Sequence, residues 1–480
     1  MHDKYFIKPI AWIGLLAAVV ISACSTRKDT DTKKTPQDSS STTGLWLTTG
    51  DQRFLLARQN VSLTFSDASD QRQTIDIDEN QQFQSIDGFG YTLTGGSATL
   101  INNLGEKEKD ALLQELFSPK GTGIGVNYLR ISIGASDLSA NTFTYNDLPA
   151  GQTDINQDKF SMAKEMTDLI PILKKIIAIN PKLLILGSPW SAPVWMKDNN
   201  SFKGGSLKPE FYQSYATYFV KYIRAMQEQG ITIDAITIQN EPLHPGNVPS
   251  MYMEAKDQAI FIKTALGPLF KKEGVKTKII LYDHNADKPE YPISILDDPE
   301  AKQYVDGSAF HLYGGTIDAL SKVHEAHPDK HIYFTEQWVG GPGNFAEDLK
   351  WHVSTLIVGA TRNWSRNVLE WNVAADANYG PHTDGGCVSC LGALTITPGV
   401  SRNVAYYVIG HASKFVPTGS VRIASTNLST LPNVAFKTPE GKKVLIVMNT
   451  SSTEQHFQMK SAGKFQRISL VAGAAATLVW

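Results

Sequence analysis

Cysteine is scarce, with three in 480 residues. Three cannot form a disulfide scaffold, and an odd number leaves at least one needing its own explanation. An excess of one charge is also missing. Lys and Arg total 45 against 47 Asp and Glu, a net charge of −2. That balance argues against a nucleic-acid partner, whose binding domain carries a basic excess. Long apolar runs are absent too. The run from Ile10 to Ile21 has 12 residues, short of the roughly 20 that a transmembrane helix needs. No glycine-rich nucleotide fingerprint follows a strand-like segment. Gly88-Phe-Gly90 and Gly95-Gly96 lack the spacing of a phosphate loop and read as turns. Asp283, His284 and Asp287 lie close in sequence, but no His-x-x-x-His helix or four-ligand spacing accompanies them. No metal and no cofactor is therefore expected.

What is present describes an ordinary folded chain. A 42% hydrophobic fraction excludes wholesale disorder, and the length suits a large domain plus a smaller one. Aromatics reach 10%, with nine Trp. Flat rings in such numbers serve flat ligands such as sugars, and equally well serve core packing.

The N-terminus reads as an export signal over 1–23, with Lys4 and Lys8 ahead of the apolar run. It ends Ile21-Ser22-Ala23-Cys24, which resembles the lipobox of bacterial lipoproteins, where cleavage leaves the cysteine as a lipidated terminus. The alternative is an ordinary secretory peptide with an incidental Cys24. The expectation is an exported lipoprotein of the outer membrane, facing the periplasm or the cell surface. Residues 24–43 carry no large apolar side chain and form a flexible tether. The nineteen residues from Ser25 to Thr43 have an r.m.s. reach of roughly 25 Å.

Beyond the tether, Val61–Phe65 and Thr74–Asp78 alternate like half-buried strands. Val434–Phe436, Lys443–Met448 and Ala475–Trp480 have the same character. Both ends, 44–80 and 413–480, are read as one small β-sandwich. The middle, 81–412, alternates apolar strands with amphipathic helices. Strands are expected at Phe83–Gly88, Val126–Ile133, Leu183–Gly187, Ala235–Gln239, Lys278–Tyr282, Gly307–His311, His331–Thr335 and Asn367–Trp371. Helical repeats run through Met166, Leu169, Ile170, Leu173, Ile176 and Ile177. A second set runs from Phe211 to Met226 behind Pro209. Eight strands alternating with helices predict an α/β fold, a (β/α)8 TIM barrel with the sandwich at its side. A doubly wound sheet is the competing architecture.

In a barrel, chemistry sits where strands end at the C-terminal face. The fourth strand ends Ile236-Thr-Ile-Gln-Asn240-Glu241-Pro242, and the seventh ends Ile332-Tyr-Phe-Thr-Glu336-Gln-Trp338. One carboxylate past an apolar strand is weak evidence, since a solvated loop holds it easily. Two, on strands that place them across one barrel mouth, match the paired carboxylates of glycoside hydrolysis.

Here the chain resembles glycoside hydrolase family 30, which includes glucosylceramidases and β-1,6-glucanases. The resemblance rests on Asn240-Glu241-Pro242 and Glu336, with Asp87-Gly-Phe-Gly90, Tyr128–Ser132, Ser136-Asp137, Ser188–Trp195, Gly204–Leu207, His311-Leu-Tyr313, Glu370-Trp-Asn372 and His411–Phe415 in the expected order. It implies a retaining mechanism, with Glu241 as acid/base of raised pKa and Glu336 as an ionised nucleophile. Arg130 would hold Glu336, and Asn240 would meet the sugar 2-hydroxyl. Asp137, Trp190, His284, His311, Tyr313 and Trp371 complete the implied sugar contacts. Asp283–Asp287 and Gly386-Cys387-Val-Ser-Cys390-Leu-Gly392 look like the family's bacterial β-1,6-glucanases. In glucosylceramidases an Asp follows the Gly-Phe-Gly turn, and Gly95 at that place implies an opened pocket. The expected substrate is therefore a β-glucan, cut internally at β-1,6 bonds by a monomer. Glucosylceramidase-type exo action, or non-catalytic glycan binding by a lipoprotein, are the alternatives. Cys387 and Cys390 could equally suggest a redox motif or half a zinc site. Export favours their oxidation to a disulfide.

Overall fold

The computed structural model describes residues 43–480. The signal sequence, the lipidation site Cys24 and the tether up to residue 42 lie outside the described residues.

Among the described residues, eight strands close into a parallel barrel. They are β1 (Gly88–Leu93), β2 (Tyr128–Ser132), β3 (Leu184–Ser188), β4 (Ala235–Thr237), β5 (Lys278–Ala286), β6 (Val305–Gly315), β7 (His331–Glu336) and β8 (Ser365–Asn372). Each pairs with the next, and β8 pairs back onto β1. The first strand lies further along the chain than its expected place at Phe83–Gly88. Phe83 instead ends a long strand, Gln73–Ser85, that belongs to the side sheet. Gly88–Leu93 is buried at every position, as an interior parallel strand must be.

The barrel interior explains where a site can form. Successive side chains on a strand face opposite ways. Tyr128, Leu186, Ala235, Ile280, Ala309, Tyr333 and Leu369 pack into one buried plug. Two residues further along six of these strands stand Arg130, Ser188, Thr237, His311, Thr335 and Trp371. The next layer toward the C-terminal ends is therefore largely polar, on a rigid apolar floor. Leu186, Ile280 and Leu369 each contribute about 1.5–3 kcal/mol by burial there.

The outer helices follow their apolar repeats. Leu169–Ile179 buries Leu169, Ile170, Ile172, Leu173 and Ile176. Tyr212–Glu228 starts behind a single turn at Pro209–Phe211 and buries Tyr215, Tyr218, Phe219, Tyr222, Ile223 and Met226.

The side domain takes strands from both ends of the described chain. Gly44–Thr49 pairs antiparallel with Ala474–Val479, and Gln73–Ser85 pairs with Val421–Ser425 and Gln455–Ser461. Leu45, Ile75, Ile77, Leu445, Val447, Phe457 and Leu478 lie in its own apolar core. Val61–Phe65, expected as a strand, is not one, and Val61 is exposed. Alternation without a partner strand leaves no ladder to form.

Candidate active site

The site is organised around Arg130, which has no solvent exposure. Its Nη1 donates to Glu336 Oε2 at 2.5 Å. Its Nη2 donates to Asp283 Oδ2 at 2.7 Å, to Asn240 Oδ1 at 2.6 Å and to Ser188 Oγ at 3.2 Å. The guanidinium also lies 4.7 Å from the Trp190 ring centre. A charge so deeply buried persists only when paired this fully.

Asp283 is the other centre of the network, and sequence reasoning did not assign it a place in the site. It accepts from Thr335, Ser188 and Thr237 at 2.6–2.7 Å besides Arg130. Burial opposes its charge, but Arg130 and His311 outweigh that and hold the carboxyl well below its usual range. The backbone explains how it gets there. Tyr282 and Asp283 both have positive φ, 72° and 60°, where β5 slips register against β6. Such a bulge re-aims side chains, and no residue pattern announces it.

His311 bridges the two candidate catalytic carboxylates. Its Nδ1 lies 3.2 Å from Glu241 Oε1 and 3.6 Å from Glu336 Oε1, and its Nε2 lies 3.1 Å from Asp283 Oδ1. Burial pushes the imidazole down, but Glu336, Asp283 and Glu241 outweigh it and hold it up to about 9. Glu241 therefore departs from the raised pKa expected of it. Burial pushes it up, yet the His311 hydrogen bond and charge bring it below the usual range. Burial dominates at Glu336 and raises it against the opposing cations of His311 and Arg130. Glu241 thus favours its ionised form and His311 its protonated one, with the two 3.2 Å apart. Tyr313 Oη donates to Glu336 Oε1 at 3.0 Å. The oxygens of Glu241 and Glu336 approach within 4.8 Å. Glu241 itself has φ 46°, a strained conformation for a side chain of its size.

Above this network lies a cavity of about 250 Å³. Of the expected residues, Asp137, Trp190, Glu241, Tyr313, Glu336 and Trp371 line it. Arg130, Asn240, His284 and His311 do not; they stand behind the lining as its support. His284 is 6% exposed, and burial pushes its imidazole down to about 4. Glu370, beside Trp371 in the family motif, points to the other face and pairs with His352 at 2.7 Å. Four lining residues were missed: His244, Asn247, Asn285 and Trp338. Trp338 had a signal, since it follows the candidate nucleophile by two positions. His244 and Asn247 lie in the loop after Glu241, where the sequence shows no periodicity.

Gly95 starts a helix against Ser139. Asp137, one of the expected residues, lines the cavity, buried, with its carboxyl pushed up to about 7 by burial and by Glu336 and Glu241.

Cys387 and Cys390 are disulfide-bonded and line the same cavity. Cys390 packs with Leu138, Trp190 and Trp371, and Trp338 covers the cluster. The Cys387 backbone N–H donates to the Asp137 carboxylate, and Cys390-Leu391 pairs with Val339-Gly340 just past Glu336. The bond thus staples the strap between the two walls of the pocket. Replacing both cysteines with serine is expected to raise KM about tenfold, change kcat little and cost roughly 2 kcal/mol of stability for so short a loop. Steady-state kinetics and thermal melting measure both; an unchanged KM would show that the strap holds its place without the bond.

Comparison with known proteins agrees with this geometry. A model described as the glycosyl hydrolase family 30 TIM-barrel domain matches residues 86–416, and one described as the family 30 beta sandwich domain matches 419–478. Endo-1,6-beta-D-glucanase neg1 of Aspergillus fumigatus is 34% identical over 422 residues, 82% of this chain and 84% of its own. Lysosomal acid glucosylceramidase of Mus musculus is 29% identical over 407 residues, 79% of this chain and 77% of its own. The solved endo-β1,6-glucanase BT3312 superposes with a TM-score of 0.84 at 34% identity, over 91% of this chain and 98% of its own.

Proposed function

The chain belongs to glycosyl hydrolase family 30 and is a retaining glycoside hydrolase; from that premise we propose that it cuts a β-1,6-glucan internally, with Glu336 as nucleophile and Glu241 as acid/base. The observation that supports a retaining pair is the approach of the two carboxylates to within 4.8 Å. Retaining enzymes hold them about 5–5.5 Å apart, whereas inverting enzymes leave room for a water. The named activity of the A. fumigatus relative and of BT3312, each at 34% identity, supports the substrate.

Each step has a residue placed to perform it. A glucose unit seated on Trp190 and Trp371 offers its anomeric carbon to Glu336. Arg130 and Tyr313 fix one oxygen each of that carboxylate. Glu241 gives a proton to the leaving glycosidic oxygen, and His311 at 3.2 Å supplies it. The glycosyl-enzyme ester then forms on Glu336. Glu241, now ionised, takes a proton from the incoming water, which releases the sugar with its configuration retained. Asn240, held by Arg130, meets the 2-hydroxyl, and Asp137 accepts from a hydroxyl at the closed side.

The buried Asp137 favours a second reading, exo action on a terminal sugar as in a glucosylceramidase. Incubation with β-1,6-glucan, β-1,3-glucan, xylan and glucosylceramide, with products sized by chromatography, separates the two. A ladder of oligosaccharides from β-1,6-glucan alone is the expected result. Glucose as the sole product, or release from glucosylceramide alone, would overturn the endo reading.

For the cellular setting, residues 1–23 are read as a signal, 24–43 as a tether and Cys24 as a lipid anchor on an exported monomer. No helix among the described residues is long and apolar enough to cross a membrane. Cys24→Ser is expected to move the enzyme from the membrane fraction to the soluble one; an unchanged fractionation would refute the anchor.

A further inference from the structure

We infer that Glu241, His284, His311 and Glu336 together form a binding site for one divalent transition-metal ion of the zinc class, which competes with the sugar. The ion is an antagonist of the enzyme and has no part in the reaction.

Donor spacing is the first argument. One ligand atom each from Glu241, His311 and Glu336 lies within 4.8 Å of the others, and all three residues are buried. His311 Nδ1 stands 3.2 Å from Glu241 Oε1 and 3.6 Å from Glu336 Oε1. Around a tetrahedral zinc with bonds of about 2.0–2.1 Å, neighbouring donors stand roughly 3.3 Å apart. Two of the three spacings match one ion directly; the two glutamates, within 4.8 Å of each other, close toward it as the ion displaces the His311 Nδ1 proton.

The surroundings of His311 are the second. Metal-bound imidazoles usually donate their far N–H to a carboxylate, which fixes the ring. Asp283 Oδ1 stands 3.1 Å from His311 Nε2 and is itself fixed by Thr335 at 2.6 Å. That arrangement turns Nδ1 toward the two glutamates.

The third is independent of that trio. His284 Nδ1 makes no hydrogen bond, although its residue is only 6% exposed, and it stands 4.0 Å from Glu241 Oε1. An unpaired buried nitrogen costs free energy unless something meets it. His284 lies outside the trio whose ligand atoms come within 4.8 Å of one another, and a turn of its ring toward an ion held by His311 and the glutamates would make it a fourth ligand. Two imidazoles with two carboxylates suit zinc or copper, and disfavour magnesium and calcium, which take oxygen. Charge agrees. Three carboxylates, Glu241, Glu336 and Asp283, stand at the site against the one guanidinium of Arg130, which holds Glu336 Oε2 and Asp283 Oδ2 and leaves Glu336 Oε1 and Glu241 to the ion.

An ion there ties up the Glu336 oxygen and the Glu241 carboxylate together. The inhibition rests on the roles proposed for these residues; the binding does not. Isothermal titration of the purified chain with zinc chloride tests the site without an assay of activity. The expected result is one ion per chain with a Kd on the order of micromolar, and no heat with magnesium chloride. Glu241→Gln and His284→Gln, with folding verified by thermal melting, should each weaken zinc at least about tenfold. No binding at millimolar zinc, or undiminished binding in both variants, would overturn the site. In glucan hydrolysis, zinc should raise the apparent KM and EDTA should restore it; inhibition that lowers kcat alone would count against competition. Metal-free enzyme that cleaves no glucan would fault the proposed function and leave the calorimetry to decide the metal site.

Discussion

Glu336→Ala is expected to lower kcat on the preferred glucan by about five orders of magnitude, equivalent to roughly 7 kcal/mol of transition-state stabilisation. The carboxylate proposed as the nucleophile has no substitute nearby, because Asp137 and Glu241 lie at other positions around the same cavity. The scaffold should survive, since truncation removes a charge whose burial is costly and leaves Arg130 with Asp283 and Asn240. Azide sharpens the result. Entering the space left by Glu336, it should attack an activated β-glucoside from the face opposite the leaving group and give an α-azide. Glu241→Ala should instead keep glycosylation of activated substrates, and azide should then give the β-product. A Glu336→Ala variant with near wild-type kcat, or a β-azide from it, would refute the nucleophile. The geometry leads to these outcomes because the carboxylates face each other within 4.8 Å across one cavity.

Arg130→Met carries the second large effect, on stability and activity together. Arg130 is unexposed, and its departure leaves Asp283 and Glu336 buried without their cation. Breaking a buried pair on one side costs about 3–5 kcal/mol. For a folded body of this size that corresponds to a Tm lowered by roughly 4 °C. Activity should fall at least about 100-fold, because Glu336 loses the group that favours its ionised form. Arg130→Lys should recover part of the stability and little of the activity. One ammonium cannot reach Glu336, Asp283 and Asn240 in the planar fork that the guanidinium provides. Differential scanning calorimetry beside steady-state kinetics separates the two effects. A Met variant that melts and turns over like the parent would show that the buried network is dispensable.

Much of this was readable along the chain. Glu241 and Glu336 stand out because a carboxylate directly after an apolar strand is costly unless it is used. The plug and the polar layer above it follow from a period of two, and the helices at Leu169 and Tyr212 from a period near four. These are local signals, repeated at fixed spacing. Asp283 shows the limit of that reasoning, since it stands at the centre of the charge network through a backbone bulge that no spacing announces. Phe83 shows it again. Its apolar neighbours suit a barrel strand and a sandwich strand equally, and only pairing with Val421–Ser425 decides between them.

The sequence by itself determined the barrel, the side domain drawn from both ends, and the two carboxylates, because burial and strand periodicity are written in residue type. The tertiary structure alone decided who neighbours whom among the charges. It aimed Asp283 inward through a bulge and set His311 between Glu241 and Glu336, which lowers the glutamate pKa and raises that of the imidazole. A pKa depends on distances of three or four ångströms between residues far apart in the chain, and no spacing along the sequence encodes those.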